Sequence, residues 1–262
     1  MYKMLALDLD DTLLMPDLSI PGEVVEALRG LIKKGVLVTL ATGRMFPSAE
    51  IYARQIGITA PLVTYNGAMI RRAGEKDPVR WFPVDMDVMR EMIELAAEKN
   101  WYLQLYNDDS IIVKSLSEET AIDPDLRLGA CREVGDLRKA QLGPTPKMMT
   151  VVDPALSAER EAWLEERFAD RLHITRSKPF LLEMMAPGVS KANSLQLLAE
   201  ENGITAAEAV TCGDSDNDLE MLDWAGMGCC MANGLETVKA RCNYVAKKER
   251  AWGVLEVMEK FF

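Results

Sequence analysis

The chain has 262 residues, 48% hydrophobic and 27% charged, with a formal net charge of −11. This is a globular composition with material for a sizeable core. Lysines and arginines cluster no further than short pairs such as Lys33-Lys34 and Arg71-Arg72, so no basic stripe suits a nucleic acid.

The run Met4–Asp8 reads as a buried parallel strand, and its apolar part, Met4–Leu7, is cut off by Asp8 and too short for a signal-peptide core. Pro21–Lys34 reads as a helix, with Pro at its start, apolar residues at helical spacing and Gly35 as the stop. Val36–Ala41 is a second strand, Phe46–Gln55 a helix ended by Gly57, and Pro61–Tyr65 a third strand running into Asn66-Gly67. This β-α-β-α-β rhythm predicts a Rossmann-like α/β core, a parallel sheet with helices on both faces. Near residue 84 the pattern changes. Val88, Met89, Met92, Ile93 and Ala96 mark an amphipathic helix, and Trp101–Tyr106 with Ser110–Lys114 a hairpin around Asn107-Asp108-Asp109. The alternation of Trp101, Tyr102 and Tyr106 suits core packing more than substrate stacking. No element is legible over residues 115–146, where a long loop is expected. Met148–Val152, Leu172–Thr175 and Phe180–Met185 read as strands and Leu156–Phe168 as a helix. The first rhythm returns at about 187: helix Ser190–Asn202, strand Ala209–Cys212, helix Leu219–Ala225, short strands Gly226–Met231 and Tyr244–Val245, and a last helix near Trp252–Phe262. The predicted organisation is a catalytic core of residues 1–83 and 187–262, with an α+β domain of residues 84–186 inserted between. No run reaches membrane-span length. Five cysteines, an odd number without C-x-x-C spacing, make neither a disulfide framework nor a zinc site. Cys212, Cys229 and Cys230 fit buried hydrophobes in a reducing compartment, so the expectation is a cytoplasmic protein without a membrane or nucleic-acid partner. The single histidine, His173, offers little for a serine–histidine triad.

Four core strands run into polar clusters: Asp8-Leu9-Asp10-Asp11-Thr12, Thr42-Gly43-Arg44, Asn66-Gly67 and Gly213-Asp214-Ser215-Asp216-Asn217-Asp218. In an open parallel sheet, ligands bind outside the carboxyl ends of the strands, so all four face one crevice. Two apart on an extended segment, Asp8 and Asp10 point the same way and Asp11 elsewhere. Crowding these carboxylates with Asp214 and Asp218 is costly unless a cation relieves it, and oxygen ligands suit Mg²⁺. Thr42 offers a hydroxyl, Gly43 a close backbone approach, and Lys191, after the N-cap Ser190, a positive charge where the helix dipole favours anions. Alone, each cluster is ordinary turn chemistry; their shared place at the strand ends points to a phosphorylated ligand.

These motifs, with Met231-Ala232-Asn233-Gly234, resemble those of the haloacid-dehalogenase superfamily phosphatases, in the Cof-type branch that inserts a large cap after the third core strand. The resemblance implies an Mg²⁺-dependent phosphatase of small phosphorylated metabolites such as sugar phosphates. In it Asp8 is the nucleophile that forms an aspartyl-phosphate, and Asp10 the general acid and base. It further implies a metal held by Asp8, the Asp10 carbonyl and Asp214 with Asp218 in support, and phosphoryl oxygens held by Thr42, Gly43, Lys191 and Asn217. Arg44 is either a structural ion-pair partner or a substrate contact. Arg250-Ala251-Trp252-Gly253-Val254 departs from the acidic-Gly-Val pattern common near the end of this family. A phosphomutase of the same superfamily and a silent phosphometabolite sensor are the alternatives.

Overall fold

The computed structural model describes residues 2–107, 109–123, 125 and 130–262. Strand β1 (Met4–Leu7) is followed by α1 (Gly22–Lys33), β2 (Leu37–Leu40), α2 (Phe46–Ile56) and β3 (Leu62–Thr64). A hairpin then adds β4 (Met69–Arg71) and β5 (Arg80–Trp81). The middle of the chain holds α3 (Met86–Lys99), β6 (Gln104–Asn107), β7 (Ser110–Val113), β8 (Ala130–Glu133), β9 (Met148–Val151), α4 (Ser157–Arg167), β10 (His173–Lys178) and β11 (Leu181–Met185). The last part runs α5 (Lys191–Glu201), β12 (Ala209–Gly213), α6 (Leu219–Trp224), β13 (Met227–Cys230), α7 (Glu236–Lys239), β14 (Tyr244–Val245) and α8 (Arg250–Phe261).

The core sheet has the order β14-β13-β12-β1-β2, and every pair in it is parallel. Period-two alternation in β1 explains the two helical layers. Leu5 and Leu7 join one cluster with Val24 and Leu28 of α1 and Val254 and Met258 of α8. Met4 and Ala6 point the other way, to Leu195 and Leu198 of α5 and Met221 of α6. Buried on both faces, these strands carry almost no polar residues until they end.

The third strand departs from expectation. It touches the core sheet through one parallel bridge, Ala41 with Val63, and then folds back as an antiparallel sheet with β4 and β5. The turn between β3 and β4 explains this. Tyr65 and Asn66 are both left-handed (φ 52° and 54°), as is Gly67 (φ 105°), so the chain reverses instead of entering a crossover helix. Gly67 is also sterically required, because a Cβ there would lie 2.2 Å from the Ser190 carbonyl oxygen.

A second sheet has the order β10-β11-β9-β6-β7-β8, antiparallel except for β7 with β8. Strand β8 lies within the stretch where no element was legible; the hairpin residue Asp108 lies outside the described residues. One face of this sheet carries α3 and α4, with Leu105, Met148, Leu182 and Met184 packed against them. The other face presents Tyr106, Met149, Leu181 and Glu183 to a cavity at the carboxyl ends of the core strands. Tyr106 belongs to that second face, its ring packed edge-on against Tyr65 at 5.5 Å, whereas Trp101 lies against Trp163. No helix among the described residues is long and apolar enough to cross a membrane.

Candidate active site

After β1 the chain makes one irregular helical turn, Leu9–Leu13, in which Asp10 is extended and Asp11 left-handed (φ 61°). Asp8 therefore stays at the strand end and is buried, while the next two aspartates diverge. Asp8 Oδ1 accepts a hydrogen bond from Lys191 Nζ at 2.7 Å, and the same ammonium donates to Asp218 Oδ1 at 2.6 Å. Lys191 opens α5, whose N-cap Ser190 accepts from the Asn193 N–H. Burial alone would discharge this lysine, but Asp218 and Asp8 overcome it and raise its pKa.

Asp214 follows β12 and accepts from the Thr12 hydroxyl at 2.9 Å. Asp218 turns back under the same loop, its Oδ2 accepting from the N–H groups of Asp214 (2.9 Å) and Ser215 (3.1 Å). Gly213 permits this, since a Cβ there would lie 2.5 Å from the Asp218 Cβ. Asp8, Asp214 and Asp218 are all buried, and one oxygen of each lies within 4.8 Å of the others. Burial, then the neighbouring Asp218, pushes the Asp214 carboxyl up to about 7. The pKa of Asp8 is raised for the same reason, burial first, with Lys191 opposing it. Three carboxylates against one ammonium is a set of hard oxygen donors in charge deficit, and it fits a divalent cation.

The structure does not bring the Asp10 carboxylate into this cluster. It is held by Arg44 through two hydrogen bonds, from Nε at 2.8 Å and Nη2 at 2.6 Å, and it lines the cavity beside Asp8. Asp8 and Asp10 thus share the cavity, as expected, but because the chain leaves the strand immediately after Asp8 their carboxylates do not meet in one cluster. Asp11, expected to point elsewhere, lines the same cavity, where it pairs with Lys178 of β10 and Arg250 at the start of α8. Burial would raise its pKa, but these two cations hold it below the ordinary value. Of the expected phosphate ligands, Gly43 and Asn217 line the cavity; the Thr42 hydroxyl accepts from the Arg44 N–H at 3.1 Å.

Several partners of the strand-end residues went unread in the sequence. Asn66 Oδ1 accepts from Asn217 at 3.1 Å while its amide donates to Glu183 at 2.9 Å. Glu183 pairs with Lys147, which also donates to the Gly43 carbonyl at 2.7 Å. Tyr106 donates to Asp123 at 2.7 Å, and Gln104 donates to the same carboxylate. Asp125 accepts from the Met45 N–H, at the start of α2, at 2.7 Å. One signal was available: Glu183 interrupts Leu181-Leu182-Glu183-Met184-Met185, and a charge inside a buried apolar run demands a partner. The cavity enclosed between these groups and Asp8 measures about 280 Å³.

A family model described as haloacid dehalogenase-like hydrolase matches residues 5–258. A 5-amino-6-(5-phospho-D-ribitylamino)uracil phosphatase of Bacillus subtilis is 28% identical, over 99% of this chain and 97% of its own length. An HMP-PP phosphatase of Cronobacter sakazakii is 29% identical, over 92% of this chain and 88% of its own length. The crystal structure of a haloacid dehalogenase-like hydrolase from Bacteroides thetaiotaomicron superposes with a TM-score of 0.88 at 28% identity, covering 100% of both chains. With an α/β core, an inserted α+β cap and a buried aspartate at the end of the first strand, the chain belongs to the haloacid dehalogenase-like hydrolases and is a phosphatase of that family.

Proposed function

We propose that the protein is a Mg²⁺-dependent phosphatase of small phosphorylated metabolites, sugar phosphates among them, that works through an aspartyl-phosphate on Asp8. The observation that carries this reading is the position of Asp8. Its carboxylate lines the cavity, ion-paired to Lys191 and within reach of Asp214 and Asp218. In the first step an Asp8 oxygen attacks phosphorus, the bond to the leaving oxygen breaks, and Asp10 gives that oxygen a proton. In the second, Asp10 takes a proton from water as that water attacks phosphorus, and Asp8 is released as a carboxylate together with inorganic phosphate. Lys191, Thr42, Gly43 and Asn217 hold the phosphoryl oxygens, and positioning against positive charge is the main lever for such transfers. Mg²⁺ held by Asp8, the Asp10 carbonyl and Asp214, with Asp218 behind them, supplies further positive charge to the phosphoryl group when bound.

Residues 84–186 act in this reading as the cap and residues 1–83 and 187–262 as the catalytic core. The cavity's place between the second sheet and the core strand ends supports that division. The absence of disulfides among the five cysteines supports a cytoplasmic location. The test is hydrolysis of p-nitrophenyl phosphate with Mg²⁺ by wild type and Asp8→Asn. The variant should lose turnover by several orders of magnitude; full Mg²⁺-dependent activity in it overturns the nucleophile assignment. Release of inorganic phosphate, rather than transfer to a hexose phosphate, separates a phosphatase from a mutase.

A further inference from the structure

The motif Met231-Ala232-Asn233-Gly234 takes no part in the two transfer steps, yet its asparagine reaches the turn that follows β1. The motif follows β13, which runs parallel to β12, so it leaves the core sheet on the same side as Asp214. Its backbone is pinned on two sides. The Ala232 N–H donates to the Lys248 carbonyl at 3.2 Å, and the Leu235 N–H donates to the Asp214 carbonyl at 2.9 Å. From this fixed base Asn233 uses both ends of its amide. Nδ2 donates to the Asp11 carbonyl at 2.7 Å, and Oδ1 accepts from the Arg250 N–H at 2.9 Å. The Arg250 guanidinium closes the circuit by pairing with the Asp11 carboxylate.

The two residues that Asn233 joins are both left-handed, Asp11 at φ 61° and Arg250 at φ 52°. Outside glycine, that conformation persists where surrounding contacts fix it. The conformation of Asp11 decides the course of the turn Leu9–Leu13, in which the extended Asp10 comes immediately before it. Arg44 grips the tip of the Asp10 side chain through two hydrogen bonds, but the turn sets where that side chain starts. Asn233 and Arg250 do not line the cavity that holds Asp8. They line a second one, of about 330 Å³, and Asp11 borders both. Asn233 therefore reaches the reaction through Asp11 and not through the substrate.

We propose that Asn233 is a positioning residue for the general acid: by holding Asp11 left-handed it fixes the place of the Asp10 carboxyl beside the ester oxygen. The proposal rests on the phosphatase reading, in which the Asp10 proton passes to the ester oxygen as its bond to phosphorus breaks. An acid matters most where the leaving oxygen most needs a proton. Phenoxide needs one, whereas p-nitrophenoxide, stabilised by its nitro group, departs nearly without it. A defect in folding, in metal binding or in phosphoryl binding slows both esters alike.

The experiment measures kcat/KM with Mg²⁺ for phenyl phosphate and p-nitrophenyl phosphate. The enzymes are wild type, Asp8→Asn, Asn233→Ala, Asp11→Gly and Asp11→Gly/Asn233→Ala. This constant covers the steps up to departure of the leaving group, so the later attack of water does not enter it. General acid catalysis is worth about 10²- to 10⁴-fold, so a displaced acid should raise the preference for the p-nitrophenyl ester by about tenfold or more in Asn233→Ala. Glycine adopts the left-handed turn without penalty, so Asn233→Ala should change that preference far less in the Asp11→Gly background. A preference unmoved in Asn233→Ala overturns the proposal. An equal change in both backgrounds also overturns it, because Asn233 would then not act through Asp11. The preference is a ratio, so it does not depend on how much of a variant is folded. Wild type that hydrolyses neither ester, or Asp8→Asn as active as wild type, overturns the phosphatase reading and this proposal with it. Activity lost in Asp8→Asn beside an unmoved preference in Asn233→Ala overturns the positioning role alone.

Discussion

Two buried ionisable residues at this site behave in opposite ways. Lys191 is sealed from solvent yet keeps its charge, because Asp218 and Asp8 accept from it at 2.6 and 2.7 Å. Asp125 is equally buried but sits beside another carboxylate, Asp123. Burial first, then Asp123, push its carboxyl up to about 7, while the Met45 N–H, Ser48 and Lys147 act to lower it. The sign of the resulting pH dependence follows from linkage. Between the unfolded pKa, near 4, and about 7, the folded chain keeps the Asp125 proton that the unfolded chain sheds. This residue therefore removes stability as pH rises through that window, by at most about 1.4 kcal/mol per pH unit. Asp125→Asn has no such proton, so its stability relative to wild type should climb from pH 4.5 to pH 7 and then level off. Urea denaturation across that range checks it; parallel profiles would show that Asp125 ionises normally in the folded protein.

At the scale of elements, the site is built from helix starts and strand ends. Helix α5 begins with its own cap, Ser190 accepting from the Asn193 N–H at 3.3 Å, and this first turn carries Lys191. Helix α2 begins at Met45, which has no capping side chain, and the carboxylate of Asp125 serves its first N–H group from the cap instead. The two helices thus depend on different parts of the molecule. Ser190→Ala should cost about 1 kcal/mol of stability, the usual value of an N-cap, read as a lower urea midpoint at unchanged slope. A larger loss, or a changed slope, would mean that Ser190 does more than cap α5. The β3–β4 hairpin is the other element that decides the site. By reversing at Tyr65–Gly67 it places Asn66 between Asn217 on one side and Glu183 on the other.

Across the whole molecule, charge ties the parts together. The chain carries −11 overall, and three of its carboxylates converge on one buried point with a single lysine between two of them. A cation that binds only the folded state adds stability by mass action, about 2.7 kcal/mol at a hundred times its dissociation constant. Mg²⁺ should therefore raise the melting temperature, a chelator should reverse the rise, and Asp214→Asn should diminish it. A melting temperature indifferent to Mg²⁺, or an undiminished rise in that variant, would remove Asp214 from the metal site. Lys178 and Arg250 converge in turn on Asp11, joining the cap, the first motif and the last helix at one carboxylate.

Local sequence determined the parallel core and the residues at its strand ends, because a buried strand and an amphipathic helix each write their burial into their own periodicity. Asp8, Asp214 and Asp218 were legible for that reason, since topology sends the carboxyl ends of neighbouring parallel strands to one side, and Lys191 from its place after the N-cap Ser190. Only tertiary structure decided where the Asp10 carboxylate goes, since that depends on one irregular turn and on Arg44, 34 residues away. The same holds for Asp123, Asp125, Lys147 and Glu183. Strand parity fixes which face of the cap sheet Glu183 occupies, but no local pattern records how that sheet sits over the core. The core side of the cavity is therefore written in motifs, and the cap side in contacts between residues far apart in the chain, such as Asn66 with Glu183, 117 positions away.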